Sequence, residues 1–293
     1  MHAFCTSLAK RWCRRPSPAP CLHWKPCLFI TLNIVLLAAV LFDRPLGAGT
    51  LPEGTRRLGN FFSGFGDSSW SIIGALVVVM QGRAAYCLLA RSRARAAALR
   101  VSWLGVYLLA SVTISGLIAN FLKRAIGRAR PSLFDTHGAA FFEPFAGRAA
   151  FESFPSGHAT TIGALCMAGA LIFPRARLFF AAAAVWLGMT RVMVGAHYPS
   201  DVSAGLILGG WCALAIALGF ARCGLVFKLS AAGQPLFQQP VAPQCPLQSE
   251  TREPGIVTTP GPGATAGWMT GIHPLDDRPA AQAAGRLALI RSR

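Results

Sequence analysis

Apolar residues in this chain gather in long unbroken runs. They span Leu28 to Phe42, Ser69 to Gln81 with an extension toward Ala90, Val101 to Leu122, His158 to Phe173, Leu178 to Gly195, and Val202 to Phe220. Two of the six reach the ~20 residues needed to cross a ~30 Å hydrocarbon layer, and the others use flanking polar or aromatic residues to finish the crossing. None shows the period-two alternation of a barrel strand, and all are rich in Leu, Ala, Val and Ile. Helices satisfy their own backbone in lipid, so the pattern predicts an all-α bundle of six membrane-spanning helices.

Composition strengthens that picture: 53% of the 293 residues are hydrophobic and only 13% charged, against about 25% charged in a soluble domain. A net charge of +17 raises the question of nucleic acid, but the placement of the charges answers it. When alternate connections are taken together, 19 of the 28 basic residues fall on the side of the two termini and nine on the other. The positive-inside rule then puts both termini in the cytoplasm, with anionic inner-leaflet lipid as the partner and no nucleic acid. The first run also has the length and basic flank of a signal peptide. It is followed by Asp43 and Arg44 and by no A-x-A cleavage site, and losing it would separate the termini.

The domain plan is a basic N-terminal segment over 1–27, a membrane domain over 28–220, and a Pro-, Gly- and Ala-rich tail over 221–293 expected to lack fixed structure. None of the nine cysteines lies in the three connections assigned to the outer side, so no disulfide framework is implied. The spacing suggests no metal site or cofactor, and it sets no oligomeric state.

Polar residues of chemical interest concentrate in two outer connections. One opens with Lys123 and reaches Arg130 and Pro131, then closes on Pro155, Ser156, Gly157 and His158; the other carries Thr190, Arg191, His197, Pro199 and Asp201. Lys123, Arg130 and Arg191 are cations at helix ends on the side where positive charge is sparse, an arrangement that calls for an anion such as phosphate. Ser156 and Gly157 stand at a helix start, where amide groups and the helix dipole favour phosphate, and Gly157 lets an oxyanion approach closely. Asp201, in the first turn after Pro199, is placed to accept from His197 and fix its tautomer, making His197 a nucleophile. His158 is then placed to protonate the leaving group.

Lys123 to Pro131 reads K-x6-R-P, Pro155 to His158 reads P-S-G-H, and Arg191 to Asp201 reads R-x5-H-x3-D. In order and spacing these resemble the three signature motifs of the type 2 phosphatidic acid phosphatase (PAP2) superfamily, over roughly Leu28 to Phe220. The resemblance implies a metal-independent membrane lipid phosphatase with its site at the outer face. His197 would be the nucleophile that forms a phosphohistidine, Asp201 its partner and His158 the proton donor. Lys123, Arg130, Ser156, Gly157 and Arg191 would hold the phosphate oxygens. The third motif usually opens with Ser-Arg, and here Thr190 precedes Arg191.

The substrate class stays open at this point among phosphatidic acid, phosphatidylglycerophosphate, undecaprenyl pyrophosphate and lipid A. The segment Gly64 to Trp70, G-F-G-D-S-S-W, resembles one in some bacterial members, lipid A phosphatases included. Richness in Ala and Arg points to a bacterium with a GC-rich genome, hence to the inner membrane with the site facing the periplasm. Two other readings use the same residues: a lipid phosphotransferase, in which an acceptor hydroxyl replaces water, and a catalytically silent lipid-binding or transport protein.

Overall fold

The computed structural model describes residues 24–47 and 52–238. Among the described residues nine α-helices follow one another: α1 (Trp24–Leu41), α2 (Asp43–Gly47), α3 (Glu53–Ser63), α4 (Ser68–Leu88), α5 (Ser92–Ile126), α6 (Phe134–His137), α7 (Gly157–Ile172), α8 (Arg177–Met193) and α9 (Pro199–Cys223). A short hairpin of β1 (Phe227–Leu229) and β2 (Pro235–Phe237) follows them, paired antiparallel with Phe227 opposite Phe237. Each apolar run of the sequence falls on one of six of these helices, three of the runs passing the helix end by one or two residues. Among the described residues five helical segments are long and apolar enough to cross a membrane. The sixth, α7, has 16 residues, about 24 Å at 1.5 Å per residue.

α7 can be short because it lies at the centre of the bundle. Ala159, Thr160, Thr161, Ile162, Gly163, Ala164 and Ala168 are all buried. Its contact with α9 is a seam of small residues. A β-carbon on Gly163 would run into the Leu206 carbonyl oxygen, and one on Gly209 into the Thr160 carbonyl oxygen. α4 and α5 meet in the same way, with Gly82 against Ser102 and Gly105 against Val79. The outer surface is the opposite in character: in α1, Phe29, Leu36 and Val40 are each more than 60% exposed and only Ala38 is buried. Such a surface suits hydrocarbon as its neighbour.

Two elements were not anticipated. α3 is a separate helix with exposed Arg56 and Arg57 and a packed face, where Gly59 meets Met193 and Val194 and Phe62 meets Trp186 edge-on at 6.3 Å. The second is at the other end of the bundle. Residues 221–238, assigned above to the tail, belong instead to the packed body. Phe227 is fully buried, its ring 4.9 Å from that of Tyr107, and Tyr107 in turn donates to the Ala213 carbonyl. Aromatic burial outweighs the local Pro and Gly content there. Beyond residue 238 the expected tail lies outside the described residues, as does the basic segment up to residue 23.

Candidate active site

Spanning helices that alternate in direction bring the C-terminal ends of α1, α5 and α8 and the N-terminal ends of α4, α7 and α9 to one end of the bundle. Every residue singled out above lies there. Lys123 is in the last turn of α5 and Arg191 in the last turn of α8; Ser156 caps α7, His158 is in its first turn, and Asp201 is in the first turn of α9.

The connection that carries Arg128 and Arg130 is braced on both sides. Gly127 closes α5 in the left-handed conformation with φ +64°, and a side chain there would collide with the Glu143 carbonyl. Only glycine meets both conditions without strain. From there Ala129 N–H donates to the Phe141 carbonyl, Arg130 N–H to the Ala150 carbonyl and Ser153 N–H to the Arg128 carbonyl. The segment 128–130 is thus pinned between two others, which fixes where both arginines start.

Lys123, Arg130 and Arg191 form a cationic group. Lys123 interacts electrostatically with both arginines, and the arginines with each other. The Nε atoms of Arg130 and Arg191 are buried with no protein hydrogen-bond partner. Gly157 closes one side of this group: a β-carbon there would stand 3.3 Å from Lys123 Nζ. Buried donors of this kind carry a desolvation cost that an anion would offset.

His197 is 3% exposed, and its Nδ1 lies 2.9 Å from the Ser153 carbonyl oxygen. A carbonyl can only accept, so Nδ1 carries the proton and Nε2 keeps its lone pair. This corrects the expected partner. Asp201 Oδ2 is 3.7 Å from Nδ1, too far for a hydrogen bond, and it accepts instead from the Ser153 hydroxyl at 2.5 Å and the Tyr198 N–H at 3.0 Å. Burial pushes the His197 imidazole below the ordinary histidine value; Asp201 pulls it back up, while Lys123 and Arg130 push it further down. His158 interacts electrostatically with His197, Arg191 and Lys123, so both imidazoles share one site.

Two sequence assignments take a different form in the structure. The Ser156 amide is committed to the Asp201 carbonyl at 3.0 Å, because the starts of α7 and α9 abut, so it is not a free phosphate donor. The Thr190 hydroxyl turns back on its own helix and donates to the Leu187 carbonyl at 2.6 Å. The turn of the G-F-G-D-S-S-W segment lies against the site, since a β-carbon on Gly66 would stand 3.1 Å from His158 Cβ.

Sequence reasoning missed Asp43, Arg128, Ser153 and Ser200. Arg128 is buried and holds Asp201 at 2.5 Å and Asp43 at 2.7 Å, with its guanidinium 4.4 Å from the centre of the Tyr198 ring. Burial disfavours its charge, but the two carboxylates raise its pKa above the ordinary arginine value. The available signal was a carboxylate closing an apolar run at a membrane edge, where an unpaired charge is costly. Among the described residues no three His, Cys, Asp or Glu side chains gather as a metal site.

The PAP2 superfamily profile matches residues 104–224. A protein of Rhizobium johnstonii named Lipid A 1-phosphatase is 56% identical over 236 residues, covering 80% of this chain and 97% of the relative. One of the same name from Rhizobium etli is 58% identical over 217 residues, covering 74% of this chain and 94% of the relative. A crystal structure of a transmembrane PAP2-type phosphatidylglycerolphosphate phosphatase from Bacillus subtilis superposes loosely, with a TM-score of 0.40 at 18% identity over 73% of this chain and 90% of that one.

Proposed function

We propose, from the premise that this chain belongs to the PAP2 superfamily and is a membrane lipid phosphatase, that it removes the 1-phosphate of lipid A through a phosphohistidine. The choice of lipid rests on the two relatives bearing that name, each covered almost end to end. The observation that carries the chemistry is the pair of buried guanidinium Nε atoms without protein partners, Arg130 and Arg191, beside Lys123 and the starts of α7 and α9. A dianionic phosphate monoester supplies the charge and the acceptor oxygens this group needs.

In the proposed first step His197 Nε2 attacks phosphorus, while Lys123, Arg130 and Arg191 take up charge on the equatorial oxygens. The phosphorus–oxygen bond to the sugar breaks and its electron pair stays on the sugar oxygen, which takes a proton from His158. Water, deprotonated by His158, then attacks the phosphohistidine, freeing inorganic phosphate and restoring His197. The Ser153 carbonyl holds Nδ1–H throughout. We place the site on the periplasmic side of an inner membrane, supported by the excess of Lys and Arg on the side of the termini.

The test is phosphate release by the purified protein in mixed micelles, across lipid A and glycerophospholipid monoesters, with and without EDTA. Release from lipid A that survives EDTA is expected. Binding without release rejects the enzyme reading, loss with EDTA rejects the mechanism, and transfer to an added acceptor lipid in place of release favours a phosphotransferase.

A further inference from the structure

Behind the histidine site lies a buried charged cluster that phosphate binding alone does not explain. Asp43, just past the end of α1, is 1% exposed. Its Oδ2 accepts from Arg128 Nη2 at 2.7 Å and from the Ser200 hydroxyl at 2.5 Å, and its Oδ1 accepts from the Ser200 N–H at 3.0 Å. Arg128 Nη1 donates to Asp201 Oδ1 at 2.5 Å and to the Ser200 hydroxyl oxygen at 2.6 Å. Asp201 Oδ2 accepts from the Ser153 hydroxyl, and the Ser153 carbonyl accepts from His197. A continuous series of buried hydrogen-bonded groups therefore joins the first membrane helix to His197.

We propose that Asp43 is a positioning residue for the reaction: by sharing Arg128 with Asp201, it leaves the Asp201 carboxylate only partly neutralised and keeps negative charge facing His197. The inference rests on the reading of His197 as nucleophile. Two carboxylates and one guanidinium leave one net negative charge in a water-poor region. Without Asp43, Arg128 and Asp201 would form a neutral pair. The charged and titratable groups facing His197 are Asp201 on α9, Lys123 on α5, Arg130 on the braced connection and His158 on α7. Three of these four oppose a cation on the ring when protonated, so the charge reaching it through Asp201 is its main support as it becomes phosphorylated. A role confined to fastening α1 to α9 would not involve the ring.

The experiment compares wild type, Asp43→Asn, Asp43→Glu and a control, Arg44→Ala, as full-length proteins in mixed micelles with lipid A. Arg44 is exposed and outside the series. For Asp43→Asn the expectation is a kcat lowered about tenfold or more with KM little changed. The acidic limb of kcat/KM should move down by about half a pH unit or more, since an imidazole that loses a nearby negative charge loses its proton more readily. A limb at the wild-type position, or an undiminished kcat, overturns the proposal. Should Asp43→Asn fail to fold, Asp43→Glu decides: the charge is kept, so a wild-type limb and a kcat within about threefold of wild type are required, and a moved limb or a kcat lowered about tenfold overturns it. A dead His197→Ala beside a wild-type Asp43→Asn fails this inference alone, whereas turnover by His197→Ala fails the underlying reading.

Discussion

Asp201→Asn separates two ways of holding the nucleophile. The exchange keeps the shape of the side chain and removes its charge. At 3.7 Å from His197 Nδ1 and an effective dielectric constant of about 20, a full carboxylate would favour the cationic ring by about 4 kcal/mol. Arg128 sits 2.5 Å from the other oxygen and cancels roughly half of this, leaving about 2 kcal/mol, or about thirtyfold in kcat. The tautomer is not at stake, because the Ser153 carbonyl holds Nδ1–H at 2.9 Å. Where a carboxylate itself sets the tautomer, the same exchange costs about 10⁴ in kcat. The assay is the initial rate of phosphate release from saturating lipid, with folding checked by thermal melting. A folded variant slowed by about 10⁴ would show that Asp201 orients the ring and would refute the reasoning; one slowed less than about threefold would remove the electrostatic share.

Other expectations follow from the same geometry. His197→Ala and His158→Ala should each lower turnover by about 10³ or more in a phosphate-release assay, and His158→Ala should recover part of its loss on substrates whose leaving group needs no proton. Because burial lowers the His197 pKa, the neutral nucleophile persists to more acid pH, and the acidic limb of kcat/KM should lie below the ordinary histidine value of about 6.5. By the same sign, the unfolded state takes up that proton first as pH falls, so this residue's contribution to stability is present above about pH 6.5 and is lost toward acid, which pH-dependent melting can follow. Gly209→Val should cost about 1–3 kcal/mol or more, since its β-carbon would meet the Thr160 carbonyl oxygen in the seam; a variant that melts like wild type would contradict that packing. Ending the chain after Lys228 removes β2 and uncovers Phe227, and should lower the melting temperature.

Much of the architecture was legible because lipid imposes a simple rule on the backbone: six apolar runs became six helices. The sequence also pointed to the chemistry, since motif spacing placed Lys123, His158, Arg191 and His197 where helix ends meet. What it hid is tertiary. Asp43 lies 157 positions from Ser200 and reads locally as an acid ending a span. The partner of His197 is a main-chain carbonyl, which any residue at position 153 would supply, so no side-chain pattern marks it. Thr190 keeps the hydroxyl of the usual motif, yet spends it on its own helix. The hairpin after α9 was lost among prolines because two three-residue strands carry almost no periodicity, and Phe227 alone announces them.

The glycine seam of α7 and α9 also bears on how the enzyme moves. With main-chain atoms of the two helices in direct contact at Gly163, Gly205 and Gly209, there is no layer of side chains between them to slide or re-pack. His158 and Asp201, one at the head of each helix, should therefore travel as parts of one stiff body during turnover. Any breathing that admits a bulky lipid and lets the product drift away then falls to the elements around that body, while the spacing of His158 and Asp201 stays constant.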